Sequence, residues 1–306
     1  MGNGKAIDIY SFEGELKNKI NIDTIYGEIS HFNVNNKYLL VTTSSNFFGI
    51  YDISRRTLKQ IMNFRKFEKN KQSLGEIREG SINCKGNYIG LLCDSLENQE
   101  IHIPETIFYV YDVELDSFTD HEISPNRIPI EFIWDFGDPR LFGVQTEYAK
   151  DLSEENYINN EEKRKKEWYG SEFFIFFYTS EYGIKKQESH RINRDIQGIF
   201  SLCIPSIYFI ISNTSNDEKV HSLLEKKFQF FQGLDKVDDN IKNSLIDFSI
   251  LMSSGKLDEA YKIVKNIKNP SIWENMAMIC IKTKRLDVLE ICLSNMRFSR
   301  GIRAVN

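Results

Sequence analysis

The sequence has few of the residues from which catalytic and metal sites are built. Its 306 residues include only five histidines and five cysteines. No histidine has a partner at motif spacing and no Gly-x-Ser-x-Gly elbow is present, so the sequence offers no local nucleophile with its base. The nearest cysteine pair, Cys84 and Cys93, lacks Cys-x-x-Cys spacing and a neighbouring histidine. We therefore expect no catalytic residues and no metal site.

Phosphate-binding loops and a strong charge of one sign are also missing. The chain contains no Gly-x-x-x-x-Gly-Lys-Ser/Thr loop, which leaves nucleotide binding without support. Its 39 basic and 44 acidic residues give a formal net charge of −5, so there is no basic footprint for nucleic acid. We expect neither a cofactor nor a nucleic-acid partner.

One apolar run, over residues 196–212, could be mistaken for a membrane span. It is shorter than the roughly 20 residues that a span requires, and Pro205 and Ser206 interrupt it. This pair is typical of a turn between two strands, so we expect no transmembrane segment. The five cysteines lack the close, even spacing of a secreted disulfide framework, and we expect them to be small core residues in a reducing compartment.

Up to about residue 213 the hydrophobic period is mainly two, in short runs separated by turn residues. This pattern is typical of many short antiparallel strands. The runs fall into three groups of four: 28–34, 37–45, 47–53 and 58–64; then 75–82, 88–93, 106–113 and 117–123; then 128–134, 140–146, 172–179 and 184–192.

The first two groups carry the same local mark. Near their ends, the third runs carry Tyr51-Asp52 and Tyr111-Asp112, at the place of the Trp-Asp dipeptide in WD repeats. We expect a polar loop over 97–105 and a mobile surface insertion over 150–166, where opposite charges alternate without a hydrophobic period.

Half groups flank these three groups. Residues 5–22 have the pattern of an outer hairpin, and residues 196–212 that of an inner hairpin. We therefore predict a WD40-like β-propeller over residues 1–215, forming an incomplete arc of about four blades at the end of a larger propeller. The alternative is a closed small ring, in which residues 5–22 complete the blade begun by 196–212.

From Asp217 the hydrophobic period favours helices, with Leu245 and Phe248 on one apolar face. The tripeptide Lys256-Leu257-Asp258 recurs as Arg285-Leu286-Asp287, an offset of 29 residues. That offset is typical of helical hairpin repeats. We predict an α-solenoid of tetratricopeptide-like hairpins over residues 216–306, with Leu286 and Leu289 facing inward and Trp273 in the core beside Met276 and Cys280.

The segment from Ser271 to Val288 resembles the family of intraflagellar transport protein 140, and the likeness continues at residues 292–296 and 300–301 and, upstream, at 233–234 and 252–260. In the β part it recurs at 128–130 and at 134–135 followed by 139–142. The residues that carry the resemblance, which we expect to be structural, are Trp134, Asp135, Pro139, Arg140, Trp273, Glu274, Asn275, Met276, Arg285, Leu286 and Asp287.

The resemblance implies a non-catalytic scaffold subunit of intraflagellar transport complex A. Such a subunit acts in retrograde intraciliary transport, cilium assembly and the ciliary entry of membrane receptors. Its implied partners are the other propeller-solenoid subunits of complex A and ciliary membrane cargo adaptors, and its implied location is the axoneme and ciliary base. Two alternatives stay open: a coatomer-like vesicle-coat subunit, which shares the propeller-then-solenoid order, and a β-propeller hydrolase.

Overall fold

The computed structural model describes residues 6–67, 75–97, 101–123, 127–148, 171–192, 196–215, 218–228, 231, 238–265, 270–282 and 284–305. The insertion predicted at 150–166 lies outside these residues. The chain divides into two compact units, one comprising Met1–Ile184 with Glu188–Ile196 and the other Lys185–Gln187 with Gln197–Asn306.

The first unit consists of one hairpin and three four-stranded antiparallel sheets, in which neighbouring strands follow chain order. This is the blade pattern predicted from the sequence. The hairpin is β1 (Ala6–Tyr10) and β2 (Leu16–Asn21); the sheets are β3 (Ile29–Asn35), β4 (Tyr38–Thr43), β5 (Phe47–Asp52) and β6 (Thr57–Asn63); β7 (Glu76–Ile82), β8 (Tyr88–Glu97), β9 (Ile101–Asp112) and β10 (Ser117–Glu122); β11 (Arg127–Trp134), β12 (Leu141–Tyr148), β13 (Glu172–Thr179) and β14 (Gly183–Arg191).

Within the described residues of the first unit, apolar side chains from adjacent sheets form three successive cores. The hairpin covers Leu39 and Val41 with Ile20 and Ile22. With the hairpin counted as the first sheet, the second sheet is β3–β6, the third is β7–β10 and the fourth is β11–β14. The other two cores join the second sheet to the third, and the third to the fourth. Such face-to-face packing of twisted sheets explains why β4 and β5 are almost wholly buried.

The predicted polar loop at 97–105 is wrong for residues 101–105. Strands β8 and β9 extend toward each other until Glu97 pairs with Ile101. Ile101 and Ile103 favour a strand, and cross-strand backbone pairing outweighs the weak strand preference of Pro104 and Glu105.

The second unit begins with a three-stranded sheet of β15 (Ile196–Cys203), β16 (Ser206–Ser215) and β17 (Glu218–Lys227). The helical period predicted from Asp217 is therefore wrong over 218–227, where every residue of β17 pairs with β16. Backbone pairing with the apolar strand β16 outweighs the local preference of this segment. Among the described residues, the two neighbours of β16 in its sheet are β15 and β17.

The described residues that follow contain five helices: α1 (Asp239–Ser253), α2 (Leu257–Val264), α3 (Pro270–Lys282), α4 (Leu286–Asn295) and α5 (Ser299–Val305). Short turns join α1 to α2 and α3 to α4, so each pair is a helical hairpin. Leu245 and Phe248 are buried on α1, as the period predicts. The boundary between the two predicted domains, near residue 215, stays a prediction.

Candidate functional site

The third strand of each four-stranded sheet ends in a residue that caps the next turn. At the end of β5, the Asp52 carboxylate accepts hydrogen bonds from the backbone N–H groups of Ser54 (3.0 Å) and Arg55 (3.1 Å) and from the Ser54 hydroxyl (2.6 Å). The hydroxyl bond contributes most to lowering the pKa of Asp52. Arg56 then adopts a φ of 55°. A side-chain acceptor at the first position and left-handed backbone at the fifth build a tight strand connection.

The next sheet repeats this turn. The Asp112 carboxylate accepts from the backbone N–H groups of Glu114 (3.0 Å) and Leu115 (3.2 Å), and Asp116 has a φ of 48°. The two Tyr-Asp pairs noted in the sequence therefore occupy equivalent positions at the ends of third strands.

A third copy of the turn has no aspartate, and the sequence pattern missed it. Thr179 Oγ1 accepts from the backbone N–H of Tyr182 at 3.0 Å, and Gly183 has a φ of 65°. Tyr178-Thr179 is thus the counterpart of the Tyr-Asp pairs. Allowing threonine as the acceptor would have revealed it, because its hydroxyl caps turns in the same way.

Asp112 also connects two sheets. Its side chain is fully buried, and its second carboxylate oxygen accepts from the Ser180 hydroxyl at 2.6 Å and lies 3.4 Å from the Tyr178 hydroxyl. The Ser180 hydroxyl is also 3.3 Å from the Tyr88 hydroxyl. This carboxylate serves the packing of the third sheet against the fourth, since buried charges persist where hydrogen bonds satisfy them.

A second inter-sheet connection starts at Asn46, which is buried and has a φ of 60°. Its amide nitrogen donates to the Gly75 carbonyl oxygen, and its amide oxygen accepts from the Ile77 backbone N–H, both at 2.9 Å. The side chain thus substitutes for a neighbouring strand at the start of β7. Asparagine tolerates the left-handed region better than most residues, which suits it to this position.

The resemblance-bearing residues 134–140 form the connection between β11 and β12. Trp134 is buried, and its indole Nε1 donates to the carbonyl oxygen of Ser81 at 3.0 Å. The Asp135 carboxylate accepts from the backbone N–H groups of Gly137 (2.8 Å) and Asp138 (2.6 Å). The tryptophan joins two sheets, and the aspartate caps the turn.

Pro139 and Arg140, the other two resemblance-bearing residues of this connection, accept hydrogen bonds through their backbone carbonyl oxygens. The carbonyl oxygen of Pro139 accepts from Asn83 Nδ2 at 2.8 Å, and that of Arg140 accepts from the Tyr178 N–H at 2.8 Å. The Arg140 guanidinium pairs with Asp138, with an Nη2 to Oδ2 distance of 2.8 Å. All four residues of the segment therefore lie in structural contacts.

Three helix ends in the second unit share one C-terminal arrangement. After α1, α3 and α4, a residue with positive φ is followed by a residue whose N–H bonds to the carbonyl five positions back, at 2.8–2.9 Å. This is the Schellman motif. The residues with positive φ are Gly255, Lys284 and Arg297. Gly255 and Lys284 are 29 residues apart, which extends the repeat seen in the sequence to its backbone conformation.

The resemblance-bearing residues of α3 are divided between core and surface. Trp273 and Met276 are only 3% and 1% exposed, and Cys280 is fully buried beside them. Glu274 is exposed. The side chain of Asn275 lies outside the described residues.

In the following turn the prediction is wrong for Leu286. Arg285 pairs with Asp287 through an Nη2 to Oδ2 distance of 3.1 Å, whereas Leu286 is 53% exposed rather than inward. Leu286 is the first residue of α4, and side chains there point back beyond the helix start. Leu289, one turn later, is buried as predicted.

The described histidines lie in separate environments. The His121 ring contacts the rings of Phe108 and Phe176, with centroid distances of 5.4 Å and 5.1 Å. His190 Nε2 lies 2.8 Å from Glu188 Oε1. Burial lowers the pKa of His31. Across the described ranges, no three His, Cys, Asp or Glu side chains are grouped to hold a metal ion.

Glu79 on β7 has a raised carboxyl pKa. Burial, followed by repulsion from the Glu131 carboxylate, raises its pKa from 4.5 to about 7. The guanidinium of Arg78 acts in the opposite direction, but it also binds the Asp94 carboxylate at 3.0 Å. Perturbed carboxyls occur in active sites and in structural networks alike.

Four of the five cysteines are buried thiols outside any disulfide; Cys203 is exposed, contrary to the prediction that all five are core residues. Cys280 and Cys292 hydrogen-bond to each other, and this bond together with burial raises the pKa of Cys292. Buried, protonated thiols behave as small apolar residues.

Blade-like sheets with a shared turn, followed by helical hairpins with a repeated cap, define a propeller-and-solenoid protein. Within the described residues, no helix is both long enough and apolar enough to cross a bilayer. The model of the IFT140 second beta-propeller matches residues 1–124 and 118–212, and the model of the TPR domain common to IFT140 and IFT172 matches residues 255–306. The chain belongs to the IFT140 family, as the sequence resemblance predicted. Domains of these two families are typically non-catalytic scaffolds.

Among solved structures, the chain is similar to that described as the crystal structure of the tricorn protease. The identity is 14% and the TM-score 0.41, and the match covers 71% of this chain. The chain spans 23% of the length of that protein. A likeness this weak bears neither on the fold nor on the activity.

Proposed function

We propose that the chain is a non-catalytic scaffold portion of intraflagellar transport complex A. In this role it acts in retrograde intraciliary transport, in cilium assembly and in the ciliary entry of membrane receptors. The observation that carries the proposal is the order of two family matches in one chain, a propeller match over 1–212 followed by a helical-repeat match over 255–306.

The partners that this function requires are the other propeller-solenoid subunits of complex A, and ciliary membrane cargo adaptors beyond them. The location is the axoneme and ciliary base. The sheets and helical hairpins support the role, because repeated units of this kind offer extended binding surfaces.

The resemblance-bearing residues serve this scaffold structurally. Trp134 and Asp135 make the inter-sheet and turn contacts described above, and Trp273 and Met276 lie in the helical core. Their substitution should therefore weaken partner binding through lost folding rather than through a lost contact.

The proposal is tested by localisation together with an activity probe. A fluorescently tagged chain expressed in ciliated cells should concentrate at the ciliary base and along the axoneme. Concentration on Golgi membranes would instead support the coatomer-like alternative. Labelling of the purified chain by a fluorophosphonate serine-hydrolase probe, prevented by heat denaturation, would support the hydrolase alternative and overturn the proposal.

A further inference from the structure

Two of the buried cysteines face each other across a helical hairpin of the second unit. Cys280 lies near the end of α3, and Cys292 lies in the second half of α4. Both side chains are fully buried, and a hydrogen bond joins the two thiols. Two sulfur atoms from different helices therefore meet inside one hairpin.

The backbone holds both cysteines in place. The carbonyl oxygen of Cys280 accepts from the N–H of Arg285 at 2.8 Å, and that of Cys292 accepts from the N–H of Met296 at 3.1 Å. Apolar residues one turn away on each helix, Met276 and Leu289, are buried as well. The thiol pair thus lies in the ordered apolar interior of the hairpin.

The hydrogen bond between the thiols is asymmetric. Cys292 donates its S–H to Cys280, and this bond is the largest cause that lowers the pKa of Cys280, with burial acting in the opposite direction. The same bond, followed by burial, raises the pKa of Cys292. A donor beside a thiolate stabilises it, and the thiolate is the nucleophilic form of cysteine. Cys280 is therefore suited to attack an oxidant, with a second, protonated thiol next to it.

The other two buried cysteines lack this arrangement. Burial is the largest cause that raises the pKa of Cys84, to about 11, and that of Cys93. Nearby carboxylates raise both values further. Buried thiols with raised pKa values are chemically inert. Cys280 thus differs from them through its thiol neighbour and not through its burial.

We propose that Cys280 and Cys292 are a redox modification site, at which a peroxide converts the two thiols into a disulfide between α3 and α4. A disulfide in a reducing compartment is transient and redox-sensing. The pair is therefore reduced at rest and oxidised on exposure to the peroxide. This inference concerns the hairpin alone and does not depend on the proposed cellular role.

With hydrogen peroxide as the oxidant, the reaction has two steps. The Cys280 thiolate attacks one peroxide oxygen, so that an S–O bond forms, the O–O bond breaks, and the hydroxide released takes up the proton lost by Cys280. The Cys292 sulfur then attacks the resulting sulfenic acid: the S–S bond forms, the S–O bond breaks, and water leaves with the thiol proton. The two thiols lose two electrons in total, and the peroxide is reduced to two molecules of water.

Peptide mapping of the purified full chain tests the proposal. The chain is treated with hydrogen peroxide, the remaining thiols are alkylated, and trypsin digestion without reductant is followed by mass spectrometry. Trypsin places the two cysteines in different peptides, 269–282 and 286–297. These peptides should appear joined, two hydrogen atoms lighter than their sum, and should separate when a reductant is added. At the same dose Cys84 and Cys93 should stay unmodified, and the chain should remain a monomer on a non-reducing gel.

Two serine variants test which thiol attacks. Cys292→Ser keeps a hydrogen-bond donor beside Cys280 but removes the second sulfur, so the reaction should stop at the sulfenic acid, which dimedone labels. In Cys280→Ser, Cys292 should take up about tenfold less dimedone or lower, because its raised pKa leaves little thiolate. Circular dichroism establishes that both variants are folded before labelling, and the map of the parent chain does not depend on them.

The exposed thiol of Cys203 gauges the dose. Peptides 269–282 and 286–297 that stay separate when Cys203 is completely oxidised would overturn the proposal, as would a disulfide that joins Cys280 to a cysteine other than Cys292. Equal dimedone labelling of the two serine variants would overturn the assignment of Cys280 as the attacking thiol. None of these results bears on the scaffold role, which is tested in cells.

Discussion

Trp134 on β11 donates its indole N–H to the carbonyl oxygen of Ser81 on β7 at 3.0 Å, which links the first strands of two adjacent sheets. The tryptophan is buried, so water cannot replace the bond if it is lost. Backbone carbonyls in such places stabilise the fold only while they have a donor.

Trp134→Phe should therefore destabilise the first unit by about 1–3 kcal/mol, the cost of leaving a buried acceptor unsatisfied. Urea unfolding followed by circular dichroism measures the change. Phe136→Ala, at a position that is 62% exposed, is the control and should change the unfolding free energy by about 0.5 kcal/mol or less. Equal effects of the two substitutions would show that the indole bond does not contribute.

Trp273→Ala should destabilise the helical part by roughly 3–5 kcal/mol, because truncating a buried tryptophan removes apolar contacts and leaves a cavity. The far-ultraviolet helical signal and its melting temperature report the loss. Met278→Ala on the same helix, where the side chain is 50% exposed, should have little effect. Retention of the full signal by Trp273→Ala would contradict its burial.

Gly255→Ala and Lys284→Gly should change stability in opposite directions. Both residues have positive φ, 78° and 58°, at equivalent helix ends. A left-handed residue with a Cβ atom costs about 1–2 kcal/mol, so the first substitution destabilises and the second stabilises by about 1 kcal/mol. Thermal unfolding of the two variants checks the signs, and a shift in the same direction for both would refute the shared helix cap.

Glu79 should make the stability of the first unit depend on pH. Burial and the Glu131 carboxylate raise the pKa of Glu79 from 4.5 to about 7, so between these values the folded state holds a proton that the unfolded state has released. Stability then decreases as the pH rises through this window. Relative to the parent chain, Glu79→Gln should gain stability on going from pH 4.5 to pH 7.

Denaturant midpoints at several pH values measure this difference. Glu122→Gln, at an exposed position on β10, is the matched control and should follow the parent chain. A difference between Glu79→Gln and the parent that stays constant across the window would contradict the raised pKa.

The sequence was sufficient to predict the blade strands, since their period of two and their turn residues agree. It was also sufficient for Trp273, whose helical spacing from Met276 and Cys280 indicated the core. Prediction from the sequence failed where pairing with another strand determines the structure. Strand β17 forms because β16 offers it an edge, and residues 101–105 are extended because β8 continues beside them.

Contacts between distant residues could not be predicted either. The two hydrogen bonds from the Asn46 side chain to Gly75 and Ile77 span 29 and 31 residues, and no local sequence pattern predicts them. Thr179 was missed for a simpler reason, because an aspartate was expected at a position where any short acceptor caps the turn.

The most direct test of the central claim, a scaffold role in complex A, is affinity purification of the tagged chain from ciliated cells followed by quantitative mass spectrometry. The account predicts enrichment of the other propeller-solenoid subunits of complex A, reduced by Trp134→Ala and by Trp273→Ala and unchanged by Phe136→Ala. Enrichment of coatomer subunits, or no enrichment of complex A subunits over an untagged control, would contradict it.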